Sequence, residues 1–286
     1  MNDFYIITTA CLVAINGAIM GSFLMMRKMV MIGDAISHAV LPGIFFAYIL
    51  SGSTSSLPIL IGAATSGILA TIMIEWLTQK ARLQSDASIG VSYTLLFAIG
   101  IILISKFGAN ADIDQQCVLY GELEYIPLWL VPIFQNFFLP QQTIILMIVC
   151  IIIIAAVIWG YKGLFITTFD PNFSISTGVA VGFWHYFLMS GVSLTTVVSF
   201  ESVGAILVIA FLSGPPAIAY LLTRNFKKMI ISACVTGIFC SIIGYYFAKA
   251  VDVSIAGAIS TTIGAVFVVV FILTTRQKSK IDVISH

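Results

Sequence analysis

Charge is scarce in this chain of 286 residues: Asp, Glu, Lys and Arg make up 9% of it, against 60% hydrophobic residues and a mean hydropathy of +1.09. Soluble domains carry about 25% charged residues, so a water-facing globular fold is excluded and an integral membrane protein is implied. The formal net charge is only +1, and Lys and Arg form no surface cluster of the kind nucleic acid requires. Cysteine is sparse too. Cys11, Cys117, Cys150, Cys234 and Cys240 contain no CxxC pair, and four of them fall within apolar runs. They read as small hydrophobes, which excludes a zinc or disulfide framework. No GxxxxGK[ST], HExxH or GxSxG motif occurs, so the chain is not expected to be an enzyme, and ATP hydrolysis would have to come from another chain. Met1-Asn2-Asp3-Phe4 lacks the basic start of a cleavable signal, so the first apolar run is expected to stay as a spanning helix.

What the chain does have is long apolar runs. A bilayer crossing needs about 20 apolar residues. Cutting at charges and polar turns leaves nine candidates, near residues 5–26, 30–50, 57–77, 89–107, 142–160, 178–197, 200–223, 230–249 and 257–275. Only Ser199, Glu201 and Ser202 separate the sixth from the seventh, so eight spans is the alternative count. The expected fold is all-α: a single lipid-embedded bundle of eight or nine spans over residues 1–286.

Lys and Arg orient it, because short cytoplasmic loops retain them. Alternate connections hold Arg27 and Lys28, Lys80 and Arg82, Lys162, and Arg224, Lys227 and Lys228, while the tail holds Arg276, Lys278 and Lys280. The opposite side has only Lys106 and Lys249, beside Asp3, Asp112, Asp114, Glu122, Glu124 and Asp252. The N-terminus is therefore expected outside and the C-terminus inside. Residues 108–141 form one long outside connection. Its acidic part would collect cations or simply face solvent. Its apolar part, Leu128 to Phe134, is too short to span and carries Pro132 with Trp129, Phe134, Phe137 and Phe138 around it, which predicts an interfacial or re-entrant piece.

Chemistry concentrates in Gly33-Asp34-Ala35-Ile36-Ser37-His38. On a helix the spacing of four places the Asp34 carboxylate and the His38 imidazole on one face, with Cβ atoms about 5 to 6 Å apart. Measured from the Arg27-Lys28 edge at 1.5 Å per residue, His38 would lie about 15 to 16 Å deep, near mid-bilayer. A charge there costs about 2.5 to 3.5 kcal/mol, so Asp34 needs a partner, water or a ligand. Carboxylate oxygen plus neutral imidazole nitrogen suits Zn, Mn or Fe(II). Two ligands hold a metal poorly, and a second copy across a twofold axis would supply two more. The competing reading makes Asp34 a cap for a helix beginning at Ala35 and His38 a hydrogen-bonded core residue.

Accessory candidates are weaker. His185, inside a span, is more often a core residue than a ligand. Glu201 lies at the outer end of its run, as gate or cap. Pro42 and Gly43 just beyond His38, and Pro215 and Pro216 in Ser213-Gly214-Pro215-Pro216, are helix breakers. They would mark either an opened backbone along a transport path or plain packing kinks. Gly17 and Gly21 have the GxxxG spacing of close helix contacts. The inside connection 161–178 is long and apolar. Asp170 can cap a short helix with Pro171 at its first position and Gly178 at its far end. Phe169, Phe173 and Ile175 would then form a docking knob for a soluble partner, or the loop would dip into lipid headgroups.

These residues resemble a known family. Met20-Gly21-Ser22-Phe23, Arg27-Lys28-Met29 and Ile32 through Gly43 resemble the signature of the manganese, zinc and iron ABC permeases. Arg82 to Gly90 is similar to that family's cytoplasmic turn, Phe169 to Gly178 to its coupling helix, and Phe200 to Leu222 to its late gating span. The resemblance implies a type II ABC importer fold in the bacterial cytoplasmic membrane. It also implies a second permease subunit, identical or a paralogue, together with cytosolic ATPases and an extracytoplasmic metal-binding protein. Asp34 and His38 would be the metal pair, and Phe169, Asp170, Pro171, Phe173 and Gly178 the ATPase contact, with the metal as cargo and no resident cofactor. Asn172 stands where an acidic residue is frequent, and the paired prolines replace a more usual single one. The FESVG version looks closer to manganese and iron members than to dedicated zinc permeases. A proton-driven transporter using Asp34 and His38 as a relay is the alternative.

Overall fold

A computed structural model of the chain describes residues 2–51, 56–107, 123, 126, 130–134 and 137–284. The helices are α1 (Asn2–Met26), α2 (Met31–Ser51), α3 (Ser56–Lys80), α4 (Ser85–Phe107), α5 (Gln141–Phe169), α6 (Pro171–Ser176), α7 (Val181–Leu222), α8 (Phe226–Val251) and α9 (Ile255–Ile284). Eight of them, all but α6, are long and apolar enough to cross a membrane. Their outward faces are apolar, with Trp76, Ile158 and Trp159 among the exposed side chains, as a lipid environment demands. Several buried hydroxyls turn back on their own helices, as Ser22 does to the Ala18 carbonyl and Thr71 to that of Gly67, and so enter the core satisfied. Among the described residues the four cysteines are free thiols.

Two sub-bundles share the chain. One packs α2 between α3 and α4; the other packs α1, α5, α7, α8 and α9 together; the contacts joining them run mainly from α2 and α3 to α7. The basic connections gather at one end. Arg27, Lys28, Glu75, Thr167, Pro171 and His185 line one cavity there, and Met26, Phe169, Arg224, Phe226 and Thr274 line another. Asp3 and Lys249 pair at the opposite end.

α7 is 42 residues long, about 63 Å if straight, twice a bilayer core. It is not straight: Gly204 has φ 76 and ψ 167, inside otherwise helical backbone. Both ends of α7 return to the basic end, because His185 meets Arg27 near its start while Phe226, just beyond its finish, meets Phe23 and Phe169 edge-to-face. The described helices therefore make nine passes, with residues 181–203 and 205–222 as separate arms. The turn falls at Gly204, not at the polar residues 199–202, because that backbone conformation is essentially open only to glycine. Glu201 lies within the first arm, three residues before the turn.

The prolines do not break their helices, contrary to expectation. Pro42 lies inside α2, and Pro215 and Pro216 lie inside the second arm of α7. Pro42 leaves the His38 carbonyl without its usual i+4 donor, and beside it Ser66 of α3 donates to the next carbonyl, that of Ala39; Ser213 donates to the carbonyl of Ile209. Pro215 and Pro216 leave the carbonyls of Phe211 and Leu212 without their usual i+4 donors. Gly17 and Gly21 of α1 lie against that same turn. A Cβ at Gly21 would sit 2.0 Å from the Leu212 carbonyl oxygen, so the GxxxG spacing serves a contact within the subunit. Gly21→Ala is expected to force α1 off α7 at a cost of about 1–3 kcal/mol, measurable as a lower melting temperature in detergent; an unchanged melting temperature would refute this contact.

The connection before α5 holds a small antiparallel hairpin, β1 (Leu130–Phe134) paired with β2 (Phe137–Pro140). The apolar piece around Pro132 is thus extended backbone, an addition to the all-α expectation. Its register shift next to Pro132 accommodates a residue with no ladder donor. Asp112, Asp114, Cys117, Glu122, Glu124 and Trp129 lie outside the described residues.

Candidate metal centre

α1 ends in a tight backbone lock. Lys28 has φ 59, its N–H bonds the Met25 carbonyl at 3.0 Å, and the Met29 N–H bonds that of Leu24 at 2.9 Å, the paired closure of a Schellman motif. Four residues separate α1 from α2, and α2 is already helical at Met31. Asp34 therefore lies in the first turn of α2 and does not cap a helix starting at Ala35. His38 is seven residues into a helix of 21, a third of the way along it from the basic end and not at its middle.

The two side chains meet. His38 Nε2 lies 3.3 Å from Asp34 Oδ1, long for an N–H···O hydrogen bond. For one tetrahedral metal with ligand bonds of about 2.0–2.2 Å, the nitrogen and oxygen should be about 3.4 Å apart. The pair therefore suits a shared cation without rearrangement. The imidazole is seated by α4: the Phe97 ring meets it edge-on at 5.4 Å and the Tyr93 ring lies 5.8 Å away. Ser37 is held by its bond to the Gly33 carbonyl. The neighbours Ala35, Ile36 and Ala39 are fully buried, whereas the His38 and Asp34 side chains keep 27% and 31% of their surface. The pair looks out along the open face of α2.

Among the described residues no third His, Cys, Asp or Glu joins them. One turn beyond His38, an apolar cavity of about 740 Å³ opens between α2, α3 and α4, lined by Pro42, Gly43, Phe46, Gly62 and Leu96. Gly43 and Gly62 cross there so closely that a Cβ on Gly43 would meet the Gly62 carbonyl at 2.2 Å. Gly43 thus sets the α2–α3 crossing, while Pro42 lies against Gly100 of α4.

His185 is elsewhere, at the basic end in a polar cavity of about 520 Å³ with Arg27, Glu75 and Thr78. Arg27 Nη1 lies 3.3 Å from its Nδ1. A guanidinium only donates, so Nδ1 must accept and Nε2 carries the proton. Neither nitrogen offers a free lone pair to a metal. Arg27 itself, read from sequence only as an edge marker, is drawn inward: Nε donates to Thr168 at 3.0 Å and Nη2 to Thr167 at 3.1 Å. Burial pushes its pKa down to about 10, which leaves it cationic at neutral pH. Tyr93, Phe97 and Arg27 are the residues that sequence reasoning missed. The i, i+4 spacing of Tyr93 and Phe97, matching that of Asp34 and His38, was the available signal.

Beside this cavity, α6 begins at Asp170, whose side chain accepts from the Phe173 N–H at 2.9 Å, with Pro171 at the first helical position. Gly178, φ 77, closes the far end. Phe173 and Ile175 project into solvent, while Phe169 rests on Phe165 and Phe226.

Residues 4–274 match the family model described as the ABC 3 transport family. The chain belongs to that family. This family member is 40% identical over 272 residues to the manganese transport system membrane protein MntD of Bacillus subtilis, covering 95% of the chain and 92% of its relative. It is 36% identical to the zinc transport system membrane protein TroD of Treponema pallidum, over 95% of the chain and 74% of that protein. Its fold superposes on PsaBC from Streptococcus pneumoniae, solved in complex with Fab, with a TM-score of 0.78 at 32% identity, covering 93% of the chain and 90% of its counterpart. This ABC 3 family member is a multi-pass membrane permease.

Proposed function

We propose that this chain is the translocation subunit of an ATP-driven importer of Mn²⁺ or Zn²⁺, and that Asp34 and His38 are the ligands its cargo touches within the membrane. One observation carries the site: a carboxylate and an imidazole, 3.3 Å apart on an open helix face, with a separation that suits a bound cation. The half-site is completed by Asp34 and His38 of a second permease subunit, giving two oxygen and two nitrogen donors. Fe(II) shares this ligand preference and is the third cargo to test. Lability suits the role. The dipole at the start of α2 opposes a divalent cation, so the site is built for passage. Membership of an ATP-binding cassette family favours ATP over a proton gradient as the driving force.

Energy enters through partners. Phe173 and Ile175 on α6 present an apolar knob beside Asp170 and Pro171, suited to a groove on a cytosolic ATPase, while an extracytoplasmic metal-binding protein would deliver the cargo. The basic end then faces the cytoplasm of a bacterium, with the N-terminus outside. Glu201, exposed just before the turn at Gly204, and the cavity beyond Pro42 lie on the outward side, where a gate belongs. Vesicles holding the complete importer test the reading. Mn²⁺ or Zn²⁺ uptake should require ATP and the ATPase. Uptake driven by a pH gradient alone would overturn it.

A further inference from the structure

Arg27 occupies a position that the transport reading does not yet explain. It is the first residue after α1, in the turn into α2, and its guanidinium reaches Thr167 and Thr168 at the end of α5 and His185 near the start of α7. Those two helix ends carry α6 between them, and Thr168 is two residues from Asp170, the α6 cap. The threonines are preset for this. Thr167 donates its proton to the Gly163 carbonyl and Thr168 to that of Leu164, so each hydroxyl offers only lone pairs to Arg27. Three charge-assisted bonds in a fixed planar fork make a stiff joint.

On its other side Arg27 is equally tied. Its N–H bonds the Phe23 carbonyl, and the next two N–H groups close the Schellman lock of Lys28 and Met29. The Ile32 N–H then bonds Met29, and the Gly33 N–H bonds Val30. From the guanidinium to Asp34 there is no slack backbone. Elsewhere the sub-bundle containing α2 touches the rest mainly through α7. Arg27 therefore joins the α6 platform to the first turn of the helix that bears the metal pair. A plain charge-neutralising role does not fit: among the described residues Arg27 forms no ion pair, although Glu75 lines the same cavity.

We propose that Arg27 is a positioning residue that transmits movement of α6 to α2, so that ATP hydrolysis by the docked partner opens or closes the Asp34–His38 site. This rests on the importer reading. The chain of contacts is contiguous, and only a coupling measurement distinguishes a transmitting joint from a passive one.

The test uses the complete importer in vesicles and measures Mn²⁺ uptake and ATP hydrolysis together, for the parent, Arg27→Lys, Arg27→Ala and Thr167→Val/Thr168→Val. In Arg27→Ala, hydrolysis should persist while Mn²⁺ carried per ATP falls about tenfold or more. Arg27→Lys, which keeps the charge but not the fork, should fall between. The threonine pair should reproduce the loss with Arg27 intact, and combining it with Arg27→Ala should add little further. This pair also covers the case in which Arg27→Ala fails to fold. Unchanged Mn²⁺ per ATP in the variants would overturn the proposal, and so would hydrolysis and uptake falling in equal proportion, the mark of a merely structural residue. A parent importer showing no ATP-dependent uptake would instead overturn the importer reading beneath it.

Discussion

Asp34→Ala and His38→Ala are each expected to lower metal uptake by about 100-fold or more while leaving the permease folded and assembled. Altering residues that merely orient a metal ligand typically costs 10- to 100-fold, and these two are the ligands themselves. A half-site of two donors has no reserve: among the described residues no third acidic, histidine or cysteine group stands by to replace a lost one. Stability should not suffer. Both side chains lie on the open face of α2, and the pairing they lose is a long contact of 3.3 Å, worth less than about 1 kcal/mol in such a setting. Asp34→Asn refines the test, because it keeps the shape and removes the charge. Its uptake should fall nearly as far. Retained transport in both alanine variants, measured with labelled Mn²⁺ at matched protein levels, would remove this pair from the path.

The second large effect belongs to α6. Phe173 and Ile175 are 53% and 68% exposed, and burying such anchors in a partner groove commonly carries about 2 kcal/mol or more each. Each single alanine variant should therefore weaken ATPase docking by roughly 30-fold, and Phe173→Ala/Ile175→Ala by up to about 1,000-fold. Uptake should collapse with it, while metal binding to the isolated permease stays unchanged. Phe169→Ala should behave differently, because that ring packs on Phe165 and Phe226 and its loss would loosen the fold. Asp170→Ala removes the α6 cap, at about 1 kcal/mol, and should give a milder docking defect. Binding of the ATPase to the permease in detergent, followed by titration, separates these outcomes. Undiminished docking by the Phe173 and Ile175 double variant would mean that α6 is not the platform.

Much of this architecture is legible in the chain because lipid leaves few options: an apolar run must become a helix, and charge must retreat to the ends. A count of eight or nine spans and the grouping of Arg27, Arg224 and their neighbours follow from that alone. The turn within α7 was harder. Polar residues 199–202 look like a break but sit comfortably inside the first arm, whereas Gly204 is one glycine among 22 and only its backbone angles reveal it. The prolines misled for a related reason. A proline breaks an isolated helix, but here packing holds the chain helical, with α3 against α2 beside Pro42 and the glycines of α1 against the carbonyls that Pro215 and Pro216 free, and no sequence pattern announces those neighbours. Asp34 and His38 were legible as a pair because a spacing of four has one meaning on a helix. The role of Arg27 was not, because it looks like a membrane edge until its three bonds are seen.

Metal location is the most direct test of the site. Crystals of the permease, or of the complete importer, should be grown with Mn²⁺ and their anomalous scattering measured at the manganese edge. A peak within bonding distance of both Asp34 Oδ1 and His38 Nε2, absent in Asp34→Ala, is the expected result. A peak elsewhere in the bundle, with none between these two side chains, would contradict it.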